Sequence, residues 1–211
     1  RRNGRKHDSA SRLQSVRTGT NSAKYSYIAN SPLVGQIFFT NGSALRMTTT
    51  KTFDFLNRLT SISSVPSAAS VVSFEYSYNA ANQRTLRREA DQSLWRFDYD
   101  PLGQVKSGKR YWSDWTPVAG QQFEYTFDQI GNRLSAKAGG DENGANLRTA
   151  LYYPNLLNQY WSNTVPGAVD VMGVAFATST VAVNNLSVYR KGEYFRKELP
   201  VNNSAGPVWT N

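Results

Sequence analysis

Two aspartates two positions apart are the first candidates for chemistry in this sequence. Asp98 and Asp100 lie at positions i and i+2, so in a β-strand both carboxyl groups face one side and can form an acid–base pair. Asp100, however, occupies the first position of a turn that recurs along the sequence. Asp98 alternates with aromatic residues, which predicts that it faces solvent. The sequence therefore predicts no catalytic residue, and we expect the chain not to be an enzyme.

The sequence lacks most of the residue types that metal and cofactor sites require. The chain has no cysteine and one histidine, which excludes disulfides, thiolate metal sites and thiol catalysis. His7 occupies a slot where related segments carry Tyr or Phe, and the other ligands of a histidine metal site are absent. No glycine-rich phosphate loop or nucleophile elbow occurs, so we expect no metal and no cofactor.

Two tryptophans are candidates for ligand binding. Trp112 and Trp115 lie in a connector between two repeats, where exposed indole rings can stack on sugars of a cell-surface glycan. The alternative is that they cap the sheet edge or pack under the loop, since Trp is usually largely buried. Tyr160 and Trp161 are a weaker candidate pair of the same kind.

The elements that position these residues are internal repeats. In the clearest copies, aromatic residues at i, i+2 and i+4 precede an Asp or Asn, a Gly or Asn follows three residues later, and a short second strand returns. Alternating aromatics fall on one face of a strand. Asp and Asn start turns by bonding the backbone two residues on, and Gly or Asn enters the left-handed region at low cost. The four clearest copies are 53–59, 74–85, 95–105 and 123–134.

The repeat gives a set of predicted structural turn residues. Its turn-starting residue falls at 8, 30, 54, 79, 100, 128 and 155, which makes about seven repeats with steps of 21 to 28 residues. We expect the turns at Asp54, Asn79, Asp100 and Asp128 to line one edge of a continuous antiparallel sheet. The predicted turn residues are Asp8, Asp54, Asn57, Asn79, Asn82, Asp100, Gly103, Asp128, Gly131, Asn155 and Asn158.

This pattern resembles the tyrosine-aspartate (YD) repeat of Rhs-type proteins over about residues 5–162. The resemblance implies an all-β fold in which tandem antiparallel hairpins form a long curved or spiralling sheet. It also implies a scaffold or shell role, with a C-terminal toxin cargo enclosed as in polymorphic bacterial toxins, or cell-surface adhesion as in teneurins. An ordinary β-sandwich is the competing fold. The core signature that precedes such a toxin is not found in this sequence.

The C-terminal part of the chain has a different pattern. Short alternating strands between Gly and Asn turns predict a β-rich, sandwich-like segment over 163–211, which is either incomplete or packs onto the repeats. The predicted domains are therefore 1–162, the repeat array, and 163–211.

Charge and composition limit the partners. The net charge is +9, which favours an acidic partner if it is functional, but the charges are scattered and only residues 1–6 form a cluster. We expect no specific nucleic acid and no membrane-spanning segment, because no apolar run approaches about 20 residues. No signal peptide occurs in this sequence. The expected partners are the rest of the same polypeptide and a cell-surface glycan, and the expected location is secreted or on the bacterial cell surface.

Overall fold

The computed structural model describes residues 3–206, and β-strands are the regular structure throughout that range. Among these residues no helix occurs, and so none is long and apolar enough to cross a membrane. Arg1 and Arg2 of the predicted basic cluster lie outside the described residues. The strands are β1 Asn3–His7, β2 Leu13–Thr18, β3 Asn21–Tyr27, β4 Val34–Asn41, β5 Ala44–Phe53, β6 Leu59–Pro66, β7 Val72–Tyr78, β8 Arg84–Glu89, β9 Leu94–Tyr99, β10 Val105–Tyr111, β11 Pro117–Phe127, β12 Arg133–Gly139, β13 Leu147–Pro154, β14 Tyr160–Asn163, β15 Ala168–Val174, β16 Ala182–Val183, β17 Leu186–Ser187, β18 Tyr189–Lys191 and β19 Tyr194–Pro200.

Strands β1 to β14 form one fourteen-stranded sheet in which the strand order is the chain order. The registered neighbours are all antiparallel, as in β5 with β6, where Thr50 lies opposite Ser63. Each strand thus pairs with the strands just before and after it in the chain, as tandem hairpins must. The predicted fold class, all-β with tandem antiparallel hairpins, is confirmed.

The chain divides into two compact units, Arg1–Ser93 and Leu94–Asn211. The first holds β1 to β8, and the second holds β9 to β19. This division differs in position from the predicted boundary at 162/163, which stays a prediction. The most deeply buried apolar side chains, Leu94, Val118 and Ala119, belong to the second unit.

A β-bulge accompanies each repeat turn. The register shifts by one residue where the strand before the turn meets the strand after it, as between Thr52 and Phe53 in β5. A bulge increases the local twist and redirects the neighbouring side chains. The shifts at the other repeat turns are at Lys6/His7, Ser26/Tyr27, Ser77/Tyr78, Val105/Ser107, Thr126/Phe127 and Tyr153/Pro154.

The C-terminal segment forms a three-stranded sheet in the order β15-β19-β18 and a two-stranded ribbon of β16 and β17. The three-stranded sheet packs against the repeat hairpins of its own unit. Tyr194 is buried there and donates a hydrogen bond from its hydroxyl to the carbonyl oxygen of Ala119 at 2.6 Å. A Cβ at Gly120, where φ is +83°, would lie 2.7 Å from the sulfur of Met172, so a side chain there would strain the backbone and displace Met172.

Candidate functional site: the turns of the hairpin array

The turn after β5 shows why the repeat needs aspartate at its first position. The Asp54 N–H donates to the Arg58 carbonyl at 3.0 Å, and the Asn57 N–H donates to the Asp54 carbonyl at 3.0 Å. Asp54 Oδ1 also accepts the backbone N–H groups of Leu56 at 2.9 Å and Arg58 at 3.0 Å. A single carboxylate oxygen thus satisfies two turn amides that would otherwise depend on water.

The same set of backbone and side-chain hydrogen bonds recurs along the chain. Where Asn replaces Asp, its amide oxygen accepts the same two N–H groups, so the charge is not required for the geometry. The turns built this way begin at Asp8, Asp54, Asn79, Asp100, Asp128, Asp141 and Asn155.

Two turns differ from the sequence-based assignment. The turn expected to start at Asn30 starts at Ile28, whose N–H donates to the Leu33 carbonyl at 2.9 Å, and Asn30 is inside it with φ +56°. The shift follows from Pro32, which has no N–H to donate. The turn at Asp141 is not among the predicted turn residues, although its Asp-x-x-Gly spacing to Gly144 carries the same signal.

In all seven turns that begin with Asp or Asn, the third residue after the turn start has a left-handed backbone. For this position φ is +62° at Asn57, +83° at Gly103 and +94° at Gly131. Asn82 and Asn158 are both at +61°. These are the Gly and Asn positions that the sequence singled out, and they close the turn because left-handed backbone reverses the chain within few residues.

The predicted turn residues all follow odd-numbered strands of the sheet. Those at Asp8 and Asp54 follow β1 and β5 in the first unit, and those at Asp100, Asp128 and Asn155 follow β9, β11 and β13 in the second. Because neighbouring strands are antiparallel, the ends of alternate strands lie at the same edge. Within each unit these turns therefore lie along one edge of the sheet.

In the first unit two arginines, Arg12 and Arg58, each connect one turn to the next. Arg58 Nε bonds Asp54 Oδ2 at 2.6 Å, while its Nη1 donates to Asn82 Oδ1 at 2.8 Å in the following turn. The guanidinium lies 4.9 Å from the ring centroid of Tyr78, whose hydroxyl donates to the Leu59 carbonyl at 2.8 Å. We call this the Arg–Tyr clasp.

The same clasp occurs two repeats earlier in the chain. Arg12 Nε bonds Asp8 Oδ2 at 2.8 Å and its Nη1 donates to the Ser31 carbonyl at 2.9 Å. The Arg12 guanidinium is 4.3 Å from the centroid of the Tyr27 ring, and the Tyr27 hydroxyl donates to the Leu13 carbonyl at 2.8 Å. The sequence does not reveal the partners of Arg12 and Arg58, because these come from the next repeat, 15 or more residues away.

In the second unit an amide replaces the guanidinium. Asn132 Nδ2 donates to Asp128 Oδ2 at 2.8 Å and lies 3.2 Å from Asn158 Oδ1 of the following turn. The Arg133 N–H donates to the Tyr160 hydroxyl at 2.7 Å. Side chains therefore link successive turns at Arg12 and Arg58 in the first unit and at Asn132 in the second.

The pKa is lowered for three of the turn carboxylates, those of Asp8, Asp54 and Asp128. The backbone N–H of Arg12 is the largest influence on Asp8 and lowers its pKa, and the side-chain amide of Asn132 does the same for Asp128. Partial desolvation raises the pKa of Asp54, but the side-chain and backbone hydrogen bonds from Arg58 outweigh it and the net pKa is lowered.

The two candidate ligand-binding tryptophans lie in a turn with the same backbone hydrogen bonds. This turn follows β10, so it lies at the side of the sheet opposite to the repeat turns. Trp112 stands in the slot of Asp54, with its N–H donating to the Thr116 carbonyl at 2.9 Å. Trp115 stands in the left-handed slot with φ +65° and is 52% exposed. Trp112 is half-buried, since the Tyr194 ring packs edge-on against it at 5.4 Å and the Lys191 ammonium lies 5.8 Å from its centroid.

The remaining candidates for chemistry are dispersed. Asp98 Oδ2 accepts a hydrogen bond from Ser107 Oγ at 2.9 Å, whereas Asp100 is bonded within its own turn. His7 lies opposite Leu13 at a bulge. Among the described residues, no group of three or more His, Cys, Asp or Glu side chains is placed to hold a metal ion.

An ionic cluster that the sequence did not reveal joins the C-terminal sheet to β13. Arg148 donates to Asp170 and to Glu198, and Arg196 Nε donates to Asp170 Oδ1 at 2.6 Å. The Asp170 side chain is only 9% exposed. Burial lowers the pKa of Arg148, but the hydrogen bond to Asp170 and the two carboxylate charges raise it overall, so the guanidinium stays charged.

Known proteins resemble this chain in structure. No protein-family model matches it, and no curated protein sequence does. The crystal structure of TcdB2-TccC3-Cdc42 aligns with 89% of this chain at 12% identity and a TM-score of 0.59. That of TcdB2-TccC3-TEV aligns with 86% at 14% identity and a TM-score of 0.55. A mutant Tc holotoxin pore from Photorhabdus luminescens aligns with 76% at 13% identity and a TM-score of 0.53.

The aligned region is a small part of each of these large chains. This chain covers 10%, 8% and 7% of the three, respectively. At such identities the likeness concerns the fold, which these toxin chains share with this chain over most of its length.

Proposed function

We propose that this chain, which has the tandem-hairpin fold and turn signature of an Rhs-type YD-repeat protein, is a segment of a protein shell. The observation that carries the proposal is the linkage from turn to turn. Each hairpin pairs with its neighbours through the sheet, and three pairs of successive turns are bonded through the side chains of Arg12, Arg58 and Asn132. Such a structure gains stability from contacts between adjacent repeats and extends by addition of repeats.

The finer proposal is that the shell encloses or presents a C-terminal effector of the same polypeptide, in a secreted or cell-surface bacterial protein. The likeness to Tc toxin chains supports this, because those chains include a region of the same fold. The hydrogen bonding of the turns also supports it. Their polar side chains bond one another within the array, as expected of a structural shell.

Limited proteolysis of the complete polypeptide tests the container role. We expect the region C-terminal to the array to resist proteinase K while the array is folded. Replacement of both Arg12 and Arg58 by Ala should make that region cleavable at a lower temperature. Arg46→Ala, which removes an exposed arginine of the same unit, is the matched control. Equal cleavage rates in the wild type and both variants would contradict enclosure.

We also propose that the chain itself is not an enzyme. Asp98 and Asp100, the paired carboxylates in the sequence, have separate structural partners: Asp98 bonds Ser107, and Asp100 closes its turn. If this is right, Asp98→Asn leaves every activity of the complete protein unchanged. Loss of an activity without loss of folding would overturn it.

Glycan binding at Trp115 is a second candidate function. It is favoured by one observation, a half-exposed indole held in left-handed backbone at a turn tip, beside the Tyr111 ring at 6.1 Å. We expect millimolar or tighter binding of a glycan that Trp115→Ala abolishes and that Trp112→Ala weakens. An unchanged glycan-array profile in these variants removes this candidate.

A further inference from the structure

One face of the sheet in the second unit carries a row of charged and hydroxyl side chains. Asp98 lies opposite Ser107, Ser107 lies opposite Glu124, and Glu124 lies opposite Lys137. Directly opposite residues of paired strands project from the same face and are close neighbours. Strands β9 to β12 therefore place two carboxylates, a hydroxyl and an ammonium group in one line across the sheet.

Two further lysines belong to the same surface. Lys109 Nζ lies 2.6 Å from Glu124 Oε1, and Lys137 Nζ lies 3.8 Å from Glu124 Oε2. The register of β10 with β9 shifts between Val105 and Ser107, so Lys106 is the additional residue of a β-bulge. A bulge redirects the side chains next to it, and Lys106 lines the same concavity as Ser107 and Lys109.

The concavity that these side chains line has a volume of about 500 Å³, within the range of about 300–1,000 Å³ that is typical of sites for small ligands. Its walls also include the hydroxyl-bearing residues Thr126 and Ser135. The ammonium groups of Lys106, Lys109 and Lys137 outnumber the carboxylates of Asp98 and Glu124 by one charge. A ligand that matches these walls is polar and carries a single negative charge.

The charged groups of this concavity are within reach of a solute. The side chains of Asp98, Lys137 and Glu124 are 50%, 45% and 36% exposed, respectively. The hydrogen bond from Lys109 outweighs partial desolvation and lowers the pKa of Glu124. At neutral pH the site therefore presents both ammonium donors and carboxylate acceptors.

We propose that this concavity binds a sugar acid, a ligand with one carboxylate and several hydroxyl groups. The ammonium groups of Lys106 and Lys137 bind the ligand carboxylate, since charge-assisted hydrogen bonds are the strong ones. Asp98 and Glu124 only accept hydrogen bonds when ionised, and the sugar hydroxyls supply the donors.

Other small ligands satisfy one half of this arrangement. A neutral sugar leaves the surplus ammonium charge unmatched. Inorganic phosphate carries more than one negative charge at neutral pH and would lie against the carboxylates of Asp98 and Glu124, where like charges repel. Acetate matches the charge but has no hydroxyl to donate. The combination of donors and acceptors thus selects a hydroxylated monocarboxylate.

Titration of D-glucuronate into the isotope-labelled 211-residue chain, followed by backbone amide chemical shifts, tests the proposal. Saturable shifts should occur at Ser107, Glu124 and Lys137, with a dissociation constant of about 1 mM or tighter for a ligand of this size. Acetate, D-glucose and inorganic phosphate, titrated in the same way, should each bind at least about tenfold more weakly.

Lysine variants identify the groups that bind the carboxylate. Lys137→Met removes a partly exposed ammonium group but keeps the length of the side chain, and it should weaken glucuronate binding at least about tenfold. Lys106→Met should do the same. The matched control is Lys197→Met on β19, which changes the net charge equally outside this concavity and should bind like the wild type. The amide spectra also show whether each variant is folded.

Four results overturn the proposal. The first is the lack of a saturable shift up to about 20 mM glucuronate, well above the expected dissociation constant. The second is a set of shifts confined to the turn of Trp115, which would assign binding to that site instead. The third is acetate, glucose or phosphate that binds as tightly as glucuronate. The fourth is an affinity that neither Lys106→Met nor Lys137→Met changes relative to Lys197→Met.

Discussion

Replacement of Arg58 by alanine removes an Arg–Tyr clasp and should destabilise the first unit by about 2 kcal/mol. The hydrogen bond from Nη1 to Asn82 Oδ1 at 2.8 Å contributes about 1 kcal/mol. The guanidinium over the Tyr78 ring at 4.9 Å contributes a further 0.5–1 kcal/mol, roughly. We assign nothing to the ion pair with Asp54, because water screens partly exposed pairs.

Lysine at this position separates the geometry of the clasp from its charge. Arg58→Lys keeps the positive charge but cannot bond Asp54 and Asn82 simultaneously through a planar fork, so most of the loss should remain. Arg46→Ala, at an exposed site of the same unit, should change stability by less than about 0.5 kcal/mol.

Denaturation in urea followed by far-UV circular dichroism measures these differences. Circular dichroism is needed because the five tryptophans all lie at residue 95 or beyond, so indole fluorescence does not report on the first unit directly. For a chain of this length the expected loss lowers Tm by about 4–8 °C. The clasp is refuted as a stabilising element if Arg58→Ala matches Arg46→Ala, or if Arg58→Lys is as stable as the wild type.

Four further outcomes follow from the same contacts. Gly103→Ala should cost about 1 kcal/mol in a denaturant titration, since φ is +83° there; no change would mean that the turn readjusts. Trp115→Gly should be about 1 kcal/mol more stable than Trp115→Ala, because both lose the ring but only Ala keeps a Cβ in left-handed backbone; equal stabilities would exclude strain at this residue. Asp170→Asn removes the carboxylate that Arg148 and Arg196 share and should lower the free energy of unfolding by about 3 kcal/mol. Unfolding followed by indole fluorescence measures this loss, and a substitution at exposed Glu193 should not cause it. The lowered folded-state pKa of Asp128 stabilises the fold above the unfolded-state pKa, and this stability is lost as the pH falls through the folded-state value. Asp128→Asn should weaken this loss of stability at acidic pH, and an unchanged pH profile would contradict it.

The repeat and its turns are predictable from sequence because their chemistry is local. Asp54 and Asn57 act within five residues of each other, and the hydrogen bonds that they form depend on spacing alone. The same locality allowed one error. Asn30 matches the residue type of a turn start, but Pro32 moves the start to Ile28, because a missing donor outweighs a favourable side chain.

The functions of individual side chains were less predictable, because they depend on partners distant in the chain. Trp112 and Trp115 look equivalent in the sequence, yet Tyr194 covers part of the first while the second is half-exposed. Arg148 gives no sequence signal at all, and its partners Asp170 and Glu198 are 22 and 50 residues away.

The sequence by itself determined the hairpin array, since alternating aromatics, a turn carboxylate or amide and a left-handed Gly or Asn each act over a few residues. The tertiary structure alone decided how the repeats are connected and how the C-terminal sheet is attached. Arg58 bonds the following turn, and Tyr194 and Asp170 bond the hairpins beneath them. These contacts need chain segments brought together by the sheet itself, so their partners cannot be inferred from the spacing of residues along one repeat.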